Sequence, residues 1–264
     1  EEIIASQKSK YSPVPVLEAL REIESRNLDF GIVGLPCQIH GLLNILDIKP
    51  QLKDKIKLKI GLICDRTMTR AATDYLVSKA KLDSEITILH FRDKSANGYP
   101  GSVNILRGKG GKGDNVSMPP STRMDIKDLF TPARCWLCFD KLNIYSDITI
   151  GDPWGISIAD HHLGESVVII RTEKGEGLIK NAVENNAIKL REIQCQDAIK
   201  GQKIQEKRGD WRGFCDTWED MGFHLPDYYN IVIKKSSSGT KKNYKKLLEQ
   251  SLMLDKYESR KEIV

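Results

Sequence analysis

Apolar and polar residues repeat with two periods along the first third of the chain. In 14–26, "VPVLEALREIESR", apolar residues recur at helical spacing with a polar opposite face, which predicts an amphipathic helix. The next stretch, "LDFGIVGLP" (28–36), is a short apolar run stopped by Gly-Leu-Pro and predicts a buried strand ended by a turn. "CQIHGLLNILDI" (37–48) returns to helical spacing. The order then repeats: "KIKLKIGLIC" (55–64) predicts a strand, "TRAATDYLVSKAKL" (69–82) a helix and "EITILHFRDK" (85–94) a strand. Residues 14–94 therefore read as two βαβ steps of an open sheet. Cys37 and Cys64 fall at the C-terminal ends of successive strands, the edge where open α/β sheets bind ligands.

Beyond residue 95 the texture changes to short strands, "GSVNILRG" (101–108), "DITIGD" (147–152) and "SVVIIRT" (166–172), separated by glycine- and proline-rich turns. A helix, "GEGLIKNAVENN" (175–186), and the segment "IKLREI" (188–193) follow. After residue 195 aromatic and charged residues mix, and helical spacing returns at 241–260. The expected class is mixed α/β: an open, mostly parallel sheet in the N-terminal part, a cysteine-bearing region of short strands and a helical C-terminal tail.

With 264 residues, 40% hydrophobic and 29% charged, the composition is that of an ordinary globular protein. No apolar stretch reaches the roughly 18–20 residues that cross a bilayer, and residues 1–20 lack the layout of a secretion signal, so a cytoplasmic setting is expected. The chain opens on "EEIIASQKSKYSP" without an initiator Met, which leaves room for a preceding part. A formal charge of +5 is concentrated in "KKSSSGTKKNYKK" (234–246) and "RGKGGKGDN" (107–115), read as solvated surface. Nucleic acid is not expected, since no helix-turn-helix, zinc-finger or RNP pattern accompanies that charge. Nor is 107–113 a phosphate loop, because it lacks the Gly-Lys-Ser/Thr ending.

The chemistry lies in the six cysteines, at 37, 64, 135, 138, 195 and 215. A reducing compartment disfavours disulfides. "CWLCFD" spaces Cys135 and Cys138 to hold one metal or one cluster. Zinc, a redox dithiol and an iron-sulfur cluster all use that spacing. Zinc sites often bring a second such pair, which is missing, and the other available thiols are single cysteines, an arrangement that suits a 4Fe-4S cluster better. Cys195 and Cys215 stand alone in amphipathic surroundings and read as small hydrophobes. His161 and His162 read as solvated loop residues.

Read in order, "SKY" (9–11), "GLPCQ" (34–38), "IGLIC" (60–64), "FRDK" (91–94), "CWLC" (135–138) and "SDITIGDPWG" (146–155), leading to "VVIIRTEKG" (167–175), resemble the coenzyme F420 hydrogenase/dehydrogenase beta-subunit family. The likeness runs from about residue 3 to about 195. It implies an oxidoreductase that holds FAD beside one 4Fe-4S cluster and takes coenzyme F420, a deazaflavin, as substrate. Cys37, Cys64, Cys135 and Cys138 match the family's cluster ligands. Ser9, Lys10, Tyr11, Arg92 and Lys94 match motif positions suited to the anionic parts of FAD or F420, and Asp152 and Trp154 lie on the "GDPWG" turn beside them. Family members also carry a glycine-rich segment ahead of the "SKY" position, so part of the flavin pocket is expected outside this chain. The resemblance covers a flavin and iron-sulfur domain at 1–195 and leaves the basic, helically patterned 196–264 as a second unit, an extension. It further implies redox partner subunits from a hydrogenase, dehydrogenase or reductase complex. The alternatives are a ferredoxin-linked reductase of another organic substrate and a zinc-stabilised or docking homologue without catalysis.

Overall fold

Pro36 starts a helix directly after a strand because its fixed φ suits the first helical position and its missing N–H would find no partner there. That local chemistry opens the fold. In the computed structural model, which describes residues 9–81, 86–95, 98–107, 115–162, 164–228 and 243–261, a 3-10 turn (Val16–Ala19) runs into α1 (Leu20–Ser25), then β1 (Phe30–Gly34) and α2 (Pro36–Ile48). There follow β2 (Ile56–Leu62), α3 (Arg70–Ala80), β3 (Ile86–Asp93), β4 (Ser102–Arg107), β5 (Asn115–Met118), α4 (Ser121–Lys127) and α5 (Ala133–Trp136). The chain continues through β6 (Ile148–Gly151), β7 (Val167–Ile170), α6 (Glu173–Glu184), α7 (Cys195–Gly201), α8 (Ile204–Asp220) and α9 (Tyr244–Lys261).

Two sheets result. The first has the order β1-β2-β6-β7, with β1, β2 and β6 parallel and β7 antiparallel at the edge. The second is the antiparallel meander β3-β4-β5. This corrects one expectation: the strand at 85–94 forms, but it leaves the parallel sheet. Beside β2 stands β6, from far along the chain, while β3 pairs with its near neighbour β4 through a short connection.

The reason is local fit. Gly61 of β2 faces the loop before β6, and a Cβ there would lie 2.5 Å from both Asn143 Cγ and Ser146 Oγ. β3 instead turns Phe91 into a core of its own with Leu76 of α3 and Val103 and Ile105 of β4. The apolar stripes of α1 and α2 close a separate core against Ile32 of β1 and Ile56 of β2.

A third core joins the C-x-x-C segment to the C-terminal helices. Trp136 and Leu137, the residues between the two cysteines, are buried with Trp211, Phe214 and Cys215 of α8 and Leu248 of α9. Trp136 stacks on Phe214 at a centroid distance of 4.5 Å, and its indole N–H donates to Ser251 Oγ at 2.9 Å. Tyr228 donates its hydroxyl to the Leu137 carbonyl at 2.6 Å. α8 was not expected from the sequence, and "IKLREI" carries no regular element. Most of the two basic stretches, 108–114 and 229–242, lies outside the described residues, as do residues 1–8. Among the described residues no helix is long and apolar enough to cross a membrane.

Candidate functional site

The C-terminal ends of β1 and β2 carry the first two cysteines. Cys37 occupies the first turn of α2, where unpaired helix N–H groups favour a thiolate. Gln38 fixes that turn: its side chain accepts from the Leu35 N–H at 2.8 Å and donates to the Val14 carbonyl at 3.2 Å. Cys64 follows β2 by two residues, its N–H donating to the Lys141 carbonyl at 3.0 Å, so the segment after Cys138 lies alongside it. His40, one turn after Cys37, bonds the buried Asp140 carboxylate at 3.2 Å and ties α2 to the same segment. Cys135 and Cys138 flank the end of α5.

Asn143 holds these parts in register. It is fully buried in the left-handed conformation at φ 55°, which Asn tolerates better than most residues. Its amide donates to the Gly34 carbonyl at 2.8 Å and the Leu62 carbonyl at 3.4 Å. One side chain thus ties the ends of both strands that lead to Cys37 and Cys64.

The four thiols are close enough to act on one another. Burial raises the Cys64 thiol, and the neighbouring Cys135, Cys138 and Cys37 raise it further. Cys135 is pushed up to about 11, chiefly by burial, with Cys138 and Cys37 adding to it against a hydrogen bond from the Thr67 backbone. Burial likewise raises Cys138 and Cys37, the latter opposed by Arg134 and by the N–H groups of Cys37 and Gln38. Three of these thiols are half-buried and Cys37 is exposed, and crowding them disfavours four thiolates unless a cationic group joins them. Among the described residues no three Cys, His, Asp or Glu side chains converge tightly enough for a single metal ion. Four thiolates on one zinc stand roughly 3.8 Å apart. Four cysteine thiols are the donor set that an iron-sulfur cluster takes.

A second site forms where β3 meets the turn after β6. Arg92 donates to Asp152 Oδ2 at 2.5 Å and to the Pro100 carbonyl at 2.9 Å. Arg123 of α4, 8% exposed, donates to the Gly101 carbonyl at 3.2 Å. Three buried polar atoms here, Arg92 Nη2, Arg123 Nε and the Tyr99 hydroxyl oxygen, have no hydrogen-bond partner among the described residues. Such atoms are costly when left unpaired. Burial works against the Arg92 charge, yet the Asp152 carboxylate outweighs it and raises its pKa, whereas burial lowers that of Arg123. Two largely buried guanidiniums with unpaired N–H groups are donors of the kind that an anion such as phosphate takes.

Around these arginines stand the other residues singled out by the sequence. Tyr11 meets Phe91 edge-on at 5.6 Å and lies under Arg123, whose Cζ is 5.9 Å from its ring centroid. Lys94 approaches the Tyr99 ring at 5.8 Å. Trp154 is 43% exposed and packs on Tyr99 at 5.7 Å, so it lines an open cleft rather than plugging a core. That cleft, about 200 Å³, also takes in Ile156 and His161. Ser9 is half-buried and Lys10 exposed. Cys195 is exposed, and Cys215 is buried with its sulfur 3.7 Å from the Tyr228 hydroxyl; neither belongs to the thiol group. Sequence reasoning missed Arg123, Tyr99 and Asn143. Arg123 sits in a helix whose buried face also carries Thr122 and Ile126, and no spacing sets it apart from a surface arginine.

A family profile for the C-terminal part of the coenzyme F420 hydrogenase/dehydrogenase beta chain matches residues 28–196. The coenzyme F420-dependent sulfite reductase of Methanocaldococcus jannaschii is 29% identical over 223 residues, 78% of this chain and 32% of that protein. One component of the F(420)H(2) dehydrogenase of Methanosarcina mazei, its F chain, is 30% identical over 178 residues, 67% of this chain and 45% of that protein. The chain thus spans about a third to a half of the length of these curated relatives. Among solved structures, a chain of the F420-reducing NiFe hydrogenase complex from Methanosarcina barkeri shares the fold with a TM-score of 0.59 at 18% identity, over 86% of this chain and 75% of that one.

Proposed function

The chain belongs to the coenzyme F420 hydrogenase/dehydrogenase beta-subunit family, and on that premise we propose that it is an oxidoreductase subunit passing electrons between coenzyme F420 and a partner protein. In this reading FAD occupies the arginine site and one 4Fe-4S cluster is held by Cys37, Cys64, Cys135 and Cys138. The observation that carries the proposal is the gathering of four thiols from two strand ends and one C-x-x-C turn into mutual electrostatic range. FAD supplies the conversion between a hydride, two electrons and a proton together, and the single electrons that an iron-sulfur centre carries.

The chain's own residues provide position and charge. Arg92 and Arg123 present their unpaired N–H groups to phosphate, and Asp152 holds Arg92 in place. Lys94, near the Tyr99 ring, would add a donor, as would Lys10 and Ser9 just ahead of Tyr11 in the chain, and Tyr11 lies beneath Arg123. Trp154 and Tyr99 offer aromatic faces on the open cleft, where the ring of a deazaflavin would enter. Trp136, Leu137 and Phe214 would cover one side of the C-x-x-C turn, while Cys37 stays exposed. Residues 1–195 would form the flavin and iron-sulfur unit, and 196–264 an extension packed on its C-x-x-C turn. The setting would be the cytoplasm, with redox subunits as partners.

The test is iron, acid-labile sulfide and flavin content on anaerobically purified protein, followed by F420 reduction with an artificial donor. About four irons with bound FAD and F420 turnover is the expected result. Iron and flavin without F420 turnover would redirect the reading to another organic substrate. Zinc in place of iron and flavin would overturn it.

A further inference from the structure

Helix α8 lies beyond the segment that the family profile matches, yet it delivers a cation to the edge of the thiol site. Lys207 is 11% exposed. Its Nζ donates to the backbone carbonyl of Asp65, next to Cys64, at 3.0 Å, and stands 3.8 Å from the Asp65 carboxylate. Asp65 is already engaged by Lys127 and Arg66, and Lys141, Glu206 and Asp210 line the same pocket. Lys127 holds Asp65 Oδ2 at 2.5 Å, and Arg66 bonds Asp128 at 2.8 Å while lying over the Trp136 ring. Lys141 donates to the Gln202 carbonyl at 2.6 Å. Lys207 therefore adds positive charge that Asp65, already matched by Lys127, does not fully cancel. It opposes the upward push on the Cys64, Cys135 and Cys138 thiols, whereas Arg134 does so at Cys37.

We infer that Lys207 is a positioning residue of electrostatic kind, which raises the reduction potential of the cluster held by Cys37, Cys64, Cys135 and Cys138. This rests on the cluster reading above. Reduction adds one electron to the cluster, with no bond made or broken, so a nearby fixed cation favours the reduced form. Such an effect is strong where solvent screening is weak, as at a side chain this buried. A helix outside the family segment would thus set how readily electrons pass from flavin to cluster.

The experiment is a redox titration, followed by absorbance and by electron paramagnetic resonance, of the anaerobically purified chain and its Lys207→Met, Lys207→Arg and Asp65→Asn variants, with iron measured in each. Lys207→Met should lower the equilibrium constant for cluster reduction about tenfold, a shift of about 59 mV to more negative potential for one electron. Lys207→Arg should stay near wild type, and Asp65→Asn should move the potential the other way. Should Lys207→Met not retain iron, Lys207→Gln, which removes the charge but keeps a polar end, is read for the same negative shift. A wild-type potential in Lys207→Met, or in Lys207→Gln where the Met variant loses iron, would overturn the inference. A wild-type chain without iron would instead overturn the cluster reading beneath it.

Discussion

Replacing Asn143 isolates the contact that aligns the two strand ends. In Asn143→Gly the backbone can keep its left-handed conformation, but the Gly34 and Leu62 carbonyls lose the amide that donates to them at 2.8 and 3.4 Å. The shorter bond dominates, and a buried acceptor left without it costs about 1–3 kcal/mol. With the small void left by a fully buried side chain, the total is about 2–3 kcal/mol. Asn143→Ala makes the same loss and also forces a Cβ-bearing residue without a polar side chain to φ 55°. After allowing for the extra unfolded-state freedom of glycine, Ala should be the less stable by about 1 kcal/mol. For a chain of this size each kcal/mol moves Tm by about 2–4 °C, so the Gly variant should melt roughly 4–12 °C below wild type and the Ala variant lower still. Calorimetry under argon, with bound iron measured on the same samples, is the assay. Iron retention should fall in the same order, because the strand ends that carry Cys37 and Cys64 lose their common anchor. An Ala variant melting within about 1 °C of wild type, or melting above the Gly variant, would refute the reasoning.

Phe214→Ala removes a side chain 1% exposed that stacks on Trp136 and meets Tyr244 edge-on at 4.7 Å; chemical denaturation should show a loss of about 3–5 kcal/mol and faster bleaching in air, and an unchanged midpoint would mean α8 does not stabilise the C-x-x-C turn. Arg123→Met should weaken flavin binding about tenfold or more, with iron content unchanged, as measured by equilibrium dialysis; wild-type affinity would remove Arg123 from the cofactor site. In the iron-free chain, burial raises Cys135 and Cys215 to about 11 from an ordinary value of 9.0. A raised folded pKa contributes stability in full below about pH 9, lost as pH climbs towards about 11. Each thiol accounts for about 3 kcal/mol at most, and urea midpoints that stay flat from pH 8 to 11 would contradict that linkage.

The N-terminal elements were legible because each carries its own periodicity. The alternation of "FGIV" and "KIKLKIGL" and the helical stripes between them appear as β1, α2, β2 and α3 within a residue or two. Helix α8 had such a stripe as well, in Ile204, Trp211, Phe214, Cys215 and Trp218, but the many charges between them obscured it. Periodicity identifies a strand without naming its partner, so β3 was assigned to the wrong sheet. The partner depends on how closely backbones approach, and there Gly61 against Asn143 and Ser146 decided.

By itself the sequence determined the residue types that the chemistry needs, the turns that end β1 and β2 in cysteines, and the family motifs. Only the tertiary structure decided which side chains complete the sites. Asn143 meets Gly34 across 109 positions, Arg92 meets Asp152 across 60, and Lys207 reaches Asp65 across 142. Burial and electrostatic contact are properties of neighbourhoods in space, and no local pattern along the chain records a neighbour that the fold brings from so far away.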